Sequence, residues 1–301
     1  MTPPAGTLDV VLTRERRRAL DFLLLTKPRG VAMVLVTTIV GYYLGSSGAT
    51  DFLRLLSTLI GTGLAAAGTL ALNQFLERDL DARMERTRLR PLPDGRLQPG
   101  ESLAFGTTIT VGGLLYLWLA VGALAAAVTA ATVALYLFVY TPLKLRSPLC
   151  MVVGAIPGAL PPVVGWVAAS GEFGAGAWVL FSILYLWQLP HTLAIARLYR
   201  DDYARAGIRV LPVVDPNGTS TERQIVAGCL ALLTVGLLPT LLGLTGAVYF
   251  FGALLLGLGF LVCGMSQAVS RSVSTARRLV FASVLYLPLL LGLMVLDKVR
   301  F

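Results

Sequence analysis

The sequence predicts an all-α, polytopic membrane protein with nine transmembrane helices. Three observations point there. First, apolar residues make up 56% of the 301-residue chain and charged residues only 14%, with a mean hydropathy of +0.76. A soluble domain carries roughly 45–50% apolar and roughly 25% charged residues, so this chain has too few charges to cover a water-facing surface. Second, nearly charge-free runs of about 20 residues recur, each long enough to cross a hydrocarbon core about 30 Å thick. Third, the basic residues gather on alternate connections. A soluble globular enzyme, a disordered chain and a disulfide scaffold are excluded. A β-barrel is disfavoured because its strands would alternate apolar and polar residues.

The spans are expected at 30–47, 53–76, 102–121, 124–141, 149–169, 175–198, 224–243, 247–266 and 277–297. Residues 1–28 form a polar, basic N-terminal segment (Arg14, Arg16, Arg17, Arg18, Lys27) without the short apolar core of a signal peptide. Residues 29–298 form one membrane domain. Uncharged turns near Gly122 and from Gly243 to Gly246 read as tight hairpin connections, whereas 77–101 and 199–223 are long, charged loops. With nine spans, one side of the membrane carries 22 of the 25 Lys and Arg residues, and the other only Arg54, Lys298 and Arg300. The positive-inside rule then places the N-terminus and both long loops in the cytoplasm and the C-terminus outside. The net charge of +9 fits an anionic leaflet of the lipid bilayer rather than nucleic acid. Cys150, Cys229 and Cys263 lie in or beside apolar runs without pairing logic and read as small hydrophobes.

Two polar clusters interrupt this pattern. The first contains Asn73, Glu77, Asp79, Asp81, Arg83, Arg86, Arg88 and Arg90. At about 3.6 residues per turn, Asn73, Glu77 and Asp81 fall near one helix stripe. Three oxygen-bearing side chains one turn apart suit a hard cation, and Mg²⁺ commonly bridges carboxylates to phosphate oxygens. The arginines supply planar donors that match phosphate. Acid and base together are what a metal–diphosphate site needs; a solvated loop of weak surface pairs is the plainer reading. Asn73 speaks against the plainer one, because polar residues inside a span are expensive.

The second cluster runs from Trp187, Gln188, Pro190 and His191 to Asp201, Asp202, Tyr203 and Arg205. Gln188 and His191, the only histidine, flank a proline expected to kink the span. A continuing helix would put His191 and Asp202 on one face. His191 reads equally as a satisfied interior residue or as a functional one. The two clusters echo each other, with acidic residues, then basic residues, then Leu92-Pro93 or Leu211-Pro212. Two similar halves would bring both to one mouth of the bundle, though coincidence explains the echo as well. Lys144 and Arg146, between the fourth and fifth spans, are phosphate ligands or plain orientation signals. The fifth span, with Gly154, Pro157, Gly158, Pro161, Pro162 and Gly165, should bend and leave room for a bulky apolar body.

Charged mouths over an apolar interior suit an amphiphile with a diphosphate head and a hydrocarbon tail. Metal and arginines would stabilise departing pyrophosphate, and a dry pocket would shield the allylic cation. That is an intramembrane prenyl transferase. A transporter with an intramembrane polar pathway is the competing class, and a scaffold of a respiratory assembly is a third.

At these clusters the sequence resembles the UbiA superfamily of membrane prenyltransferases, and within it the haem O synthase family. The matching residues are Asn73-xxx-Glu77-Arg-Asp79-Leu-Asp81-xx-Met84-x-Arg86-Thr87 with Arg90-Pro91-Leu92; Tyr140-Thr141 with Lys144; Gly158-Ala159-x-Pro161-Pro162-xx-Gly165-Trp166; and Leu186-Trp187-Gln188-Leu-Pro190-His191 running into Asp201-Asp202-Tyr203-Ala-Arg205-Ala-Gly207 and Leu211-Pro212. The resemblance implies nine helices around a central cavity. It implies farnesyl diphosphate as donor, protohaem IX (haem B) as acceptor rather than cofactor, and Mg²⁺ held near Asn73, Glu77 and Asp81. A haem vinyl group would become a hydroxyethylfarnesyl group, with a haem A synthase or oxidase assembly factor as partner. Asn73, Glu77, Asp79, Asp81, Arg86, Lys144, His191 and Asp202 are then the expected catalytic residues. Arg83, Arg90, Arg146, Trp187, Gln188, His191, Asp201, Tyr203 and Arg205 are the expected substrate-binding residues. Many aromatic prenyltransferases of the superfamily carry Asp where His191 stands; this departure favours haem over a phenol or chlorophyll-type ring and puts a second Mg²⁺ at Asp201 and Asp202 in doubt.

Overall fold

A computed structural model describes residues 17–299; Arg14, Arg16 and Arg300, counted above by charge, lie outside them. The described chain is helical, with one isolated β-bridge between Thr245 and Lys298. Eight helices are long and apolar enough to cross a membrane, and a bent pair, Arg17–Leu25 (α1) and Pro28–Gly45 (α2), makes a ninth span if taken together. The pair bends by 48°. α1 falls in the stretch expected to be an N-terminal segment. It is amphipathic, with Asp21 and Leu25 buried and Leu20, Leu23 and Leu24 exposed.

The remaining elements follow in order. They are α3 (Phe52–Asp81), α4 (Pro99–Ala120), α5 (Ala123–Ala134), a π-helical segment (Leu135–Tyr140), α6 (Thr141–Leu143), α7 (Cys150–Ala159), α8 (Pro161–Ser170) and α9 (Ala175–Leu198). Then come α10 (Arg200–Arg205), α11 (Leu211–Val214), α12 (Thr219–Val235), α13 (Leu238–Leu241), α14 (Ala247–Ser270) and α15 (Val273–Leu296). Helix starts follow local chemistry. Asp51 accepts from Arg54 N at the head of α3, and Gln98 and Glu101 form a reciprocal capping box on α4. Gly122, at φ 140°, turns the chain between α4 and α5 in a backbone region that few side chains tolerate.

The breaks fall partly where expected: the fifth span, expected to bend, is interrupted, whereas α9 continues through Pro190. Pro190 does not break its span: α9 runs unbroken from Ala175 to Leu198. On either side of the proline, Gln188 Nε2 donates to Leu184 O and Thr192 Oγ1 to Gln188 O. The helix stops instead at Tyr199, before α10, so His191 and Asp202 do not share one helix. In the fifth span the break is at Leu160, where Pro161 and Pro162 occupy the first positions of α8, as their missing N–H groups favour.

Small residues set the closest approaches. α2 lies against α8 so tightly that a Cβ at Gly41 would fall 1.9 Å from Pro162 O, and one at Gly165 would fall 2.0 Å from Thr38 O. Without a hydrophobic drive between helices in lipid, such contact supplies the packing attraction. α9 packs on α7, α8, α12 and α15, and α15 reaches back to α2. At one end Lys298 Nζ donates to Tyr43 O and Ser46 O, while Asp297 accepts from Tyr249 N. At the other, buried Glu222 accepts from Gln267 and pairs with Arg197, tying α9, α12 and α14 together.

Gly165→Ala is expected to cost about 1–3 kcal/mol through overpacking, read as a lower melting midpoint in detergent. Gly112→Ala, at a position with open space around it, should leave the midpoint unchanged or raise it. Equal effects of the two would contradict the packing account.

Candidate active site

The site grows from the last turns of α3. This helix continues to Asp81, beyond the expected end of the span, so Asn73, Glu77 and Asp81 remain on one continuous stripe, and all three are buried. Asp79 does not join them. Its side chain is 79% exposed and lies 3.8 Å from Arg78.

Each buried member of the stripe meets a partner from another element. Asn73 Nδ2 donates to Thr141 Oγ1 at 3.2 Å, and its Oδ1 accepts from Lys27 Nζ at 3.1 Å. Glu77 pairs with Lys144 at 2.6 Å, and Asp81 Oδ2 accepts from Arg90 at 2.6 Å. Asp81 Oδ1 is buried and has no hydrogen-bond partner among the described residues. A buried carboxylate oxygen left open costs free energy and is the kind of atom a cation satisfies.

Backbone irregularities place these partners. Gln74 Nε2 donates to Leu25 O at 2.8 Å, fixing the bend between α1 and α2. At that bend Lys27 takes φ 49°, an uncommon region for a side-chain-bearing residue. On the other flank, Thr141 N and Thr141 Oγ1 both donate to Tyr136 O, closing the π-helical segment. π-bulges recur at functional sites because the extra residue re-aims side chains. Here the following turn sends Thr141 to Asn73 and Lys144 to Glu77. Burial works against the Lys144 ammonium, but Tyr140 and the Glu77 carboxylate outweigh it and hold the group above the ordinary lysine range.

Lys144 also joins the two clusters. Its carbonyl accepts from Arg209 N at 2.8 Å, and the residue lines a cavity with Gln188, Thr192 and Tyr203. Arg86 lies over the ring of Tyr199, 5.2 Å from its centroid. The two clusters therefore converge at one end of the bundle. Asp202 is buried and paired with Arg205, while Asp201 is exposed. Arg83 and Arg146 are exposed and stay outside the buried network. Trp187 and His191 stack at 4.8 Å and both bond to Ser283 on α15.

A second, apolar cavity is lined by Thr62, Thr69, Thr132, Tyr136, Gly158 and Val164, among others. Tyr136 and Gly158 line both cavities, so polar mouth and apolar chamber share a wall. Among the described residues no group of three His, Cys, Asp or Glu forms a ready metal cage. The donor set still fits Mg²⁺, which takes one or two carboxylates together with substrate phosphates: Asp81 Oδ1 is open, and Glu77 and Asn73 lie on the same stripe. Sequence reasoning left Lys27 and Ser283 out of the site. Lys27 read as part of a basic N-terminal segment, and Ser283 carries no signal in an apolar span.

Cations beside carboxylates, over an apolar chamber and within a membrane bundle, define a protein equipped to hold an amphiphile by its anionic head. The chain belongs to the UbiA prenyltransferase family, whose model matches residues 34–287. It is 52% identical over 287 residues to a protoheme IX farnesyltransferase of Solibacter usitatus, covering 92% of this chain and 98% of that one. A protoheme IX farnesyltransferase of Aquifex aeolicus is 40% identical, covering 93% and 96%. The fold is that of a digeranylgeranylglyceryl phosphate synthase (TM-score 0.79, 17% identity, 93% and 98% covered). It is also that of a UbiA homologue from Archaeoglobus fulgidus bound to GPP and Mg²⁺ (TM-score 0.67, 14% identity, 91% and 99% covered).

Lys144→Met should leave Glu77 buried and uncompensated, costing about 3–5 kcal/mol. Lys144→Met combined with Glu77→Gln should recover most of that stability but not affinity for inorganic pyrophosphate. Thermal melting and a pyrophosphate titration check the two halves separately; restored binding in the double variant would remove Lys144 from the head-group site.

Proposed function

We propose that this protein transfers the farnesyl group of farnesyl diphosphate to a vinyl group of protohaem IX, giving a hydroxyethylfarnesyl haem and diphosphate. The observation that carries this reading is the convergence of Lys27, Lys144 and Arg90 with Asn73, Glu77 and Asp81 beside an apolar chamber. The acceptor rests on the relatives that are protoheme IX farnesyltransferases. A quinone precursor as acceptor would leave Trp187 and His191 without a task.

In this reading Lys27, Lys144 and Arg90 neutralise the diphosphate, and Arg86 approaches it from the loop after α3. Asp81, with Glu77 and Asn73, would hold Mg²⁺, which would supply further charge neutralisation for the departing diphosphate. The allylic C–O bond breaks with its electron pair leaving on diphosphate. The farnesyl cation adds to the vinyl carbon to form a C–C bond. Water then adds to the resulting cation and loses a proton. Threonine and aliphatic walls of the chamber exclude water from the first cation. The bundle sits in a cytoplasmic or inner membrane as one domain over 29–298, with both long loops in the cytoplasm and the C-terminus outside. A haem A synthase or oxidase assembly factor would receive the product.

Expression followed by haem extraction and mass spectrometry tests the proposal: a farnesylated haem is expected, and a prenylated phenol instead would overturn it. Asn73→Ala, Asp81→Ala and Arg86→Ala should each cut turnover at least about a hundredfold in protein that still melts cooperatively. Chelation with EDTA should abolish pyrophosphate release, and added Mg²⁺ should restore it; unimpaired release in EDTA would remove the metal from the mechanism.

A further inference from the structure

The histidine environment fixes more than a position. His191 Nδ1 lies 2.6 Å from Ser283 Oγ, and Ser283 Oγ lies 2.6 Å from Val280 O, its own backbone three residues earlier. A serine hydroxyl has one proton to give. If it went to His191, no proton would lie between Ser283 Oγ and Val280 O, which are at hydrogen-bond distance. If it goes to Val280 O, the hydroxyl lone pair is free to accept, and both contacts are satisfied only when His191 Nδ1 carries a proton. Trp187 Nε1 donates to Ser283 O at 2.8 Å and stacks on the imidazole, so ring plane and serine backbone are held together. Ser283 itself is fully buried.

The other ring nitrogen is the consequence. Nε2 makes no hydrogen bond among the described residues, and it is not among the buried unpartnered atoms, so it remains accessible. An unpaired charge within a span is expensive, so the ring is neutral, and Nε2 holds a free electron pair. Neutral imidazole with its other N–H anchored on an oxygen is the arrangement by which proteins present histidine to iron.

We infer that Ser283 is a positioning residue that locks His191 as the Nδ1–H tautomer and presents Nε2 as the ligand that grips the iron of the porphyrin acceptor. This rests on the haem reading above. The iron is the substrate's own, and the contact orients the ring while farnesylation proceeds at its periphery.

Because His191 is the only histidine in the chain, ¹⁵N-histidine labelling of the full protein gives one imidazole. The wild type should show a protonated Nδ1 and an unprotonated Nε2. Ser283→Ala should mix the tautomers, and Ser283→Thr, which keeps a hydroxyl, should preserve them; detergent melting checks that each is folded. Ser283→Ala should weaken binding of ferric haem B by about 10–100-fold while leaving metal-free protoporphyrin IX unaffected. A protonated Nε2 in the wild type overturns the lock. Equal loss of both porphyrins, or of neither, overturns the role of Ser283 while leaving the haem reading intact. A wild type that binds neither porphyrin and makes no farnesylated haem overturns the haem reading and the iron contact together, whatever the tautomer.

Discussion

The site depends on one buried ion pair, Glu77 with Lys144. The carboxylate comes from the end of α3, and the ammonium from the turn after the π-helical segment. Such a pair adds little net stability once desolvation is counted, yet losing one partner is costly. Its value here is register. It holds α3 against the turn after α6, and that turn receives Arg209 through the Lys144 carbonyl. Both acidic clusters are thereby referred to one residue. The lysine also stays cationic in a place where burial would favour losing the proton, because Glu77 lies 2.6 Å away. An anionic substrate arriving there exchanges one negative partner for another rather than meeting an unsolvated charge.

How much of this was legible follows from the range of the forces involved. Nine apolar runs and the lopsided loop charges are properties of local sequence, and the fold class came directly from them. The Asn73–Glu77–Asp81 stripe was also legible, because helical period alone puts those residues together. Asp79 shows the limit: two residues before Asp81 and chemically identical, it points to solvent, and treating every acid of the cluster as catalytic ignored that same period. Pro190 sits inside α9 without ending it, and residue type alone does not tell a tolerated proline from a helix end.

Lys27 and Ser283 mark the other limit. Lys27 acts at Asn73 only because Gln74 clasps the end of α1 and forces the chain to bend there. Ser283 meets His191 across 92 residues of sequence. Neither residue type is diagnostic at its position, and nothing periodic links either to its partner. Both became visible only when three helices were placed side by side. The residues that bear charge were read from the sequence, while those that set geometry were not.

The two cavities place the chemistry between them. The polar one holds Lys144 and Tyr203, and the apolar one is walled by α3, α5, α7 and α8; Tyr136 and Gly158 belong to both. In the proposed reaction, a diphosphate beside Lys144 would send its hydrocarbon past Tyr136, with the bond between head and tail at the shared wall. Gly158 lets Gln188 pack against the shared wall, since a Cβ there would lie 2.0 Å from Gln188 Oε1. Tyr136 is set by the π-helical segment, whose carbonyl is taken by Thr141, itself the partner of Asn73. The extra residue in that helical turn thus fixes at once the head-group lysine, the Asn73 contact and the aromatic wall of the passage. An ordinary α-helical turn would rotate the following residues by about 100° about the axis, and no single substitution elsewhere could return all three to place.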